Sequence, residues 1–566
     1  MSFRSFCFFL LIFFVSACSG RKEAPPAETP VSTQAEAAPT TEGDFIGLPL
    51  SSQRGEWFTA SGICVTCHTQ MVDQVGADVS TDKLWRATMM ANAARDPYWQ
   101  AAVRAETTRH AKFSQVIEDK CATCHMPMAR FTLLHSQGSQ AGYAPVLDSG
   151  FASTEHLYHE LAMDGVSCNL CHQIQPNNFG EPESFSGGYQ IDLTLPKGER
   201  EAFGPYAVDQ GLVAVMQGVS GFIPVEAAHI EQSELCGVCH TLYTPFIDSA
   251  GVIGGQFPEQ MVYLEWKHSR YPAEKSCQGC HMPVAQGGVQ LSVTGGPLRS
   301  PFYQHVFSGG NVYMAKMLRE NAFELQLTAS SSQLAGAATN AAEQLQRNTA
   351  TLVLQNAKIE DDTLMLEISV QSRVGHKFPS GFPSRRAWLH VVAKDAVGKL
   401  VFESGGVADT GTIHGNDNDA DPTRIEPHYN IITSSDQVQV YEAIMGDTEG
   451  KVTTSLLSGA GYLKDNRLLP IGFEKSSASS DIAVQGQAAD DEDFQGGGDL
   501  ISYTIPLNGA VLPLRVIIQL NFQSIGYRWA ENLRLFSAPE PGMFIRFYDQ
   551  LPNLPVTVAE VVEIVE

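Results

Sequence analysis

A cysteine pair followed at once by histidine, C-x-x-C-H, occurs five times: at Cys64-Val65-Thr66-Cys67-His68, Cys121-Ala122-Thr123-Cys124-His125, Cys168-Asn169-Leu170-Cys171-His172, Cys236-Gly237-Val238-Cys239-His240 and Cys277-Gln278-Gly279-Cys280-His281. Chance would place one such string in roughly one chain per hundred of this composition. The chain has 12 cysteines, and the two outside the motifs, Cys7 and Cys18, lie at its N-terminus. A zinc site wants paired C-x-x-C units or a remote histidine pair, and gives no role to a histidine after every second cysteine. A disulfide framework leaves that histidine idle. Covalent haem uses all three residues, because two thiols bond the vinyl groups and the histidine ligates iron. The motifs therefore specify five covalently attached haem c groups, with His68, His125, His172, His240 and His281 as proximal iron ligands.

Successive first cysteines are 57, 47, 68 and 41 residues apart, too close for each haem to have its own domain. The haems must then lie near one another, in a region of short helices and long loops that they help to fill. From about Thr351 the texture changes. Stretches such as "TATLVLQNAKIEDDTLMLEISVQSRV" and "LRVIIQLNFQSI" are rich in β-branched residues, and turn signals at Glu360-Asp361-Asp362 and Asp395-Ala396-Val397-Gly398 separate strands. The expected fold is α+β and multidomain: a haem-packed, mostly helical and loop-rich domain over 46–345, then a β-sandwich-like domain over 350–566. A helix near Asn340 to Arg347 marks the border, and Gln485 to Gly498 reads as an exposed acidic insertion. "KCATCHMPMA" and "SCQGCHMPVA" match, and His110 and His268 precede Cys121 and Cys277 at similar distances, which suggests two related units.

The opening "MSFRSFCFFLLIFFVSACSG" has one arginine before a short apolar run ending in small residues, the pattern of a secretory signal over 1–18. Val15-Ser16-Ala17-Cys18 resembles a bacterial lipobox, which would make Cys18 the lipidated residue. Residues 19–45 are rich in Pro, Ala, Thr and Glu and cannot bury a core, as in a disordered tether. The expected place is the cell envelope, as an outer-membrane lipoprotein facing the periplasm or the exterior. Net charge is −25, which argues against nucleic acid and anionic lipid surfaces.

Function turns on what faces each proximal histidine, since a second strong ligand makes an electron carrier and an open face permits substrate chemistry. Of 16 histidines, eleven are not proximal. His376 stands in a Gly/Pro-rich loop, "VGHKFPSGFPS", between two strands. His305 precedes a glycine pair, His229 and His159 shortly precede the next motif, and His135 follows the second one. Met90 is a candidate sulfur ligand. Asp417, Asp419 and Asp421 alternate like the start of a calcium loop, but Pro422 and His428 stand where Gly and Glu are needed, so only a looser Ca²⁺ site is open.

The haem motifs in context, "DGVSCNLCHQI", "SELCGVCHTLYTP" and "EWKHSRY…CQGCHMP", with "HVFSGGN" and "GHKFPSG", resemble multihaem c-type cytochromes of the cytochrome c554 type across Trp57 to Arg386. That resemblance implies packed haems, mostly with two histidine ligands, and electron transfer between redox partners. By position it marks His229, His305 and His376 as distal ligands, and His159 and His135 less clearly. One string departs from the family pattern Trp-x-x-Ser-x-His-Ala: here Trp85-Arg86-Ala87-Thr88-Met89-Met90-Ala91 puts Met90 in the histidine's place. The expected function is a lipid-anchored pentahaem electron relay working with other redox proteins, a porin or another multihaem cytochrome. The alternative is an oxidoreductase acting on a small nitrogen or sulfur compound at one open haem.

Overall fold

From residue 350 onward β-forming segments, some alternating in burial like β7 and some buried throughout like β5, make nine strands of five or more residues: β1 (Ala350–Glu360), β2 (Thr363–Ser372), β3 (Arg386–Lys394), β4 (Leu400–Ser404), β5 (Val440–Gly446), β6 (Gly461–Asp465), β7 (Gly498–Pro506), β8 (Leu514–Gln523) and β9 (Val556–Val565). This is a computed structural model, and it describes residues 45–137 and 142–566. The leader, Cys18 and the tether before residue 45 lie outside the described residues.

The smaller sheet has the order Ile431–Ile432, β7, β2, β1; the larger runs Val452–Thr453, β5, β3, β8, β9, with β4 beside β3 and β6 beside β5. Asp361 and Asp362 both take positive φ, 48° and 59°, at the tip of the β1–β2 hairpin. That is the backbone a tight hairpin turn needs, and Asp tolerates it. The two sheets share one core. Leu364, Leu366, Ile368 and Val370 of β2 and Ile501, Tyr503 and Ile505 of β7 meet Leu389 and Val391 of β3 and Val516, Ile518 and Leu520 of β8.

Helices cover this core and reach past it. We label α1 (Pro97–Arg109), α2 (Ser114–His125), α3 (Val262–Lys267), α4 (Val312–Glu320), α5 (Ser331–Asn348), α6 (Tyr527–Arg534) and α7 (Pro539–Gln550). Val312 and Ala315 of α4 and Ala338, Ala341 and Leu345 of α5 belong to the sandwich core. The border helix begins well before Asn340, because Ser330 and Gln333 form a capping box: the Ser330 hydroxyl accepts the Gln333 amide (3.2 Å) and the Gln333 side chain accepts the Ser330 amide (2.8 Å). After β8 the chain leaves the sandwich, and α6 and α7 pack with α4 in a separate apolar cluster. There Phe544 meets Tyr98 of α1 (ring centroids 5.2 Å apart) and Glu540 pairs with Arg104 (2.8 Å). The chain then returns as β9. Among the described residues no helix is long and apolar enough to cross a membrane.

Two expectations are corrected. The Asp417, Asp419 and Asp421 carboxylates do not converge on a Ca²⁺ site: Asp417 pairs with Arg424 (2.5 Å), Asp419 with Arg386 (2.7 Å), and Asp421 accepts the Thr423 amide (2.9 Å). The segment is instead a helical turn, Asp417–Ala420, capped by Asn416. The segment 485–498 is solvated only in part: Asp490, Glu492 and Asp493 are exposed, but Ala488 and Phe494 enter the sandwich core and Asp491 is buried against His428 (2.9 Å).

Candidate haem-binding site

The five motifs are strapped to one another by buried side chains. Asp164 accepts the Ser61 amide (2.8 Å) and hydroxyl (2.5 Å), just before the first motif, and the Ser167 hydroxyl (2.5 Å), just before the third. Asn169, inside the third motif, accepts the Thr59 amide at 2.7 Å. The fourth and fifth motifs are joined likewise: Ser233 accepts the Cys277 amide (3.0 Å), and Gln278 donates to the Ile230 (3.2 Å) and Gln232 (2.8 Å) carbonyls. Gly187 runs between the second and fourth motifs. Its amide donates to the Val238 carbonyl (2.7 Å), its φ is +80°, and a Cβ there would lie 2.3 Å from Thr123. Only glycine fits that passage.

Thiols follow the same pairings: Cys64 neighbours Cys168, Cys124 neighbours Cys239, and Cys236 neighbours Cys277. Cys171 lies close enough to Cys236 and Cys239 for its charge to raise both thiols, which brings the first and third motifs up to the other three. All ten motif cysteines are free thiols, as covalent attachment of haem requires.

The proximal rings are oriented by their Nδ1 atoms. His68 donates to the Leu291 carbonyl (2.8 Å), His125 to Ala93 (3.1 Å), His172 to Phe203, and His281 to Ser308 (2.6 Å). Each such bond fixes the tautomer and leaves Nε2 with its lone pair for iron. Burial pushes His125 and His240 down to about 4, so both rings are neutral, as metal ligation requires. The Trp99 ring lies flat on His125, 4.3 Å between centroids and 3° from parallel, a support the sequence did not advertise.

Two distal candidates face proximal rings. His305 is 6.5 Å from His172 with planes 20° apart, and His376 is 6.2 Å from His281 with planes 11° apart. Two metal–imidazole bonds of about 2 Å each, plus two ring radii, give about 6 Å between ring centres, so both pairs have the spacing one iron needs. Burial drives His305 to about 3 and also lowers His376, so both are neutral donors. These residues fit the group that the motifs call for.

The other candidates have different neighbours. His135 stacks on Phe131 (3.9 Å) and meets Trp57 edge-on (6.0 Å). His159 starts a short helix and donates Nδ1 to Phe151 (3.0 Å). His229 turns Nε2 to the Ile174 carbonyl (2.9 Å), between the rings of Phe179 and Phe203. Met90 lies in the turns between Trp85 and α1, where its carbonyl accepts the Val166 amide (3.0 Å) two residues before the third motif. The internal repeat has a structural counterpart: His110 and His268 cap the C-termini of α1 and α3, and Met126 and Met282 cap the helical turns of the second and fifth motifs.

No known protein family matches the chain, and no curated protein does. Among solved structures, a penta-heme cytochrome c552 from Thermochromatium tepidum is similar over 89% of this chain and 98% of that one, with a TM-score of 0.48 and 15% sequence identity.

Proposed function

We propose that this chain is a lipid-anchored pentahaem c-type cytochrome that relays electrons between redox partners in the cell envelope. The observation that carries the reading is the strapping of every motif to at least one other by side-chain or thiol contacts. Iron in haem c supplies reversible one-electron exchange. The chain's own residues do the rest. Neutral, carbonyl-anchored histidines are held in fixed positions, and His305 and His376 would supply a second strong ligand at two haems, closing those faces to substrate. Straps such as Asp164 and Ser233 keep neighbouring sites at one separation in either oxidation state. Lipid on Cys18 would hold the protein at the outer membrane, with a porin or another multihaem cytochrome as partner class.

The test is a haem count followed by low-temperature EPR of the oxidised protein made without Cys18. Five haems per chain, with low-spin signals throughout, support the relay. Fewer than five attached haems, or no low-spin signal, overturns it.

A second reading, an oxidoreductase acting on a small nitrogen or sulfur compound at one open haem, is favoured by the surroundings of His240. Among the described residues this proximal ring has no carbonyl partner on Nδ1, and burial first, then the His281 ring and the Arg385 guanidinium, depress its basicity. The same cation interacts with Asp96, whose carboxyl burial raises to about 6, and with Tyr98. A high-spin signal that shifts on adding cyanide or nitrite selects this reading over the relay.

A further inference from the structure

Lys377, directly after His376, is one of four charged side chains buried together. Their exposures are 0% for Lys377, 2% for Asp465, 0% for Glu265 and 8% for Arg467. Lys377 Nζ donates to Asp465 Oδ2 at 2.7 Å and to the Ala483 carbonyl at 3.2 Å. Arg467 forks on the same carboxylate, Nε to Oδ1 and Nη2 to Oδ2, both at 2.8 Å. Its Nη2 also lies 2.9 Å from Glu265 Oε1. The circuit closes through the backbone, where the Lys377 amide donates to Glu265 Oε2 at 3.1 Å.

Two cations and two anions leave the quartet neutral. Burying charges is costly even when they pair, and apolar side chains of the same bulk would serve a sandwich core at least as well. Stability therefore gives no reason for the quartet, but its location does. It joins three segments: α3, whose Tyr263 ring lies over Gly237 of the fourth motif; the loop between β2 and β3 that carries His376; and the end of β6. Both handles on His376 pass through residue 377. The Lys377 amide is held by Glu265, and the Lys377 carbonyl accepts the Nδ1 hydrogen of His376 at 3.0 Å. One residue further on, Phe378 and Leu468 exchange both backbone hydrogen bonds, at 2.9 and 2.8 Å.

We propose that the quartet Glu265–Lys377–Asp465–Arg467 is a positioning device for His376, setting the height and rotation of its ring opposite His281. This rests on the pairing of His376 with His281 proposed above. The fork of Arg467 and the Lys377 ammonium lock the Asp465 carboxylate from two sides. Through Glu265 that lock fixes the peptide that orients the ring. A neutral quartet achieves this without placing a net charge beside the iron.

The experiment compares Asp465→Asn, the double variant Lys377→Met with Asp465→Leu, the charge-preserving Arg467→Lys, and His376→Ala. Each is scored by haem count, melting temperature, EPR and a redox titration resolved by haem. Asp465→Asn and the double variant are expected to keep five haems while one low-spin signal broadens or turns high-spin and its midpoint potential moves away from the parent value. Arg467→Lys keeps the charge but cannot fork on Asp465 while reaching Glu265, so it is expected to shift the same haem in the same direction. If His376→Ala converts one haem to high spin but Asp465→Asn leaves all five signals and potentials untouched, the quartet is structural only and the proposal falls. If His376→Ala changes no haem, the pairing itself is wrong and the proposal falls with it. Should the double variant fail to mature, Asp465→Asn decides alone.

Discussion

A histidine's part in this chain is set by what holds its other nitrogen, which the sequence does not write. The motif histidines are legible because each sits beside its two cysteines. The features that orient them are not: Asp164 acts 103 residues from Ser61, and Asn169 acts 110 from Thr59. Of the distal candidates, His305 and His376 stand in glycine-rich strings that let a ring reach a crowded place, and these two face proximal rings. His305→Ala is therefore expected to keep five attached haems and turn one of them high-spin, read by EPR and by the visible spectrum. An unchanged spectrum would remove His305 from the ligand set. A second residue carries a pH dependence unrelated to haem. Asp499 is buried beneath Tyr441 (2.8 Å) and Gln439 (3.1 Å), and burial raises its carboxyl to about 7. An unfolded Asp loses its proton near pH 4, so between about pH 4 and 7 the folded state holds a proton that the unfolded state lacks, and stability falls as pH rises. Asp499→Asn removes that loss. Its melting temperature should match the parent near pH 4 and exceed it at pH 8, by an amount worth up to about 4 kcal/mol. A difference independent of pH would refute the assignment.

Runs rich in β-branched residues announced β1, β2 and β8, and the two turns named in the sequence close real hairpins, with Asp395 accepting the Val397 and Lys399 amides at 3.1 and 2.9 Å. What the pattern could not show is that the chain leaves the sandwich after β8 and comes back. Nothing in "GYRWAENLRLFSAPEPGMFIRFYDQ" states which surface α6 and α7 cover, because their partner α1 lies some four hundred residues earlier, as in the 436-residue separation of Arg104 and Glu540. Phe544 is the centre of that return, fully buried and in contact with Tyr98 and Tyr548. Truncation of a core phenylalanine costs about 3–5 kcal/mol through lost burial and the cavity left behind. Phe544→Ala should lower stability by that amount in denaturant titrations. It should also open α7 to limited proteolysis before the strands are cut, since the helix pair forms an apolar cluster apart from the sandwich core. Simultaneous cleavage of helix and strands would mean that the return is not a separate layer.

At the scale of the whole chain, charge and connectivity act together. The thiol contacts join the first motif to the third and the fourth to both the second and the fifth, and Cys171 brings the third to the fourth, so the fourth is a junction and the first, second and fifth are ends. On the proposed relay an electron entering at one end would have two exits, and what would select the partner at each is the field outside. Net charge is −25 over 566 residues, and anionic haem propionates would only deepen it. A field of that sign concentrates cationic reactants at the surface and repels anions, changing encounter rates by about tenfold or more at low salt. Screening confines the effect to about 10 Å at 0.1 M salt and about 3 Å at 1 M. Reduction of the oxidised protein by a cationic mediator should therefore outpace reduction by an anionic mediator of equal potential by at least about tenfold near 10 mM salt. The two rates should converge as salt rises, measured by stopped-flow absorbance of the haem bands. Equal rates at low salt would mean that the acidic surface lies away from the ends of the relay and serves solubility alone. A large, salt-sensitive gap would mean that the ends are reached through the acidic face, and would direct the search for the physiological partner toward proteins with a basic docking surface.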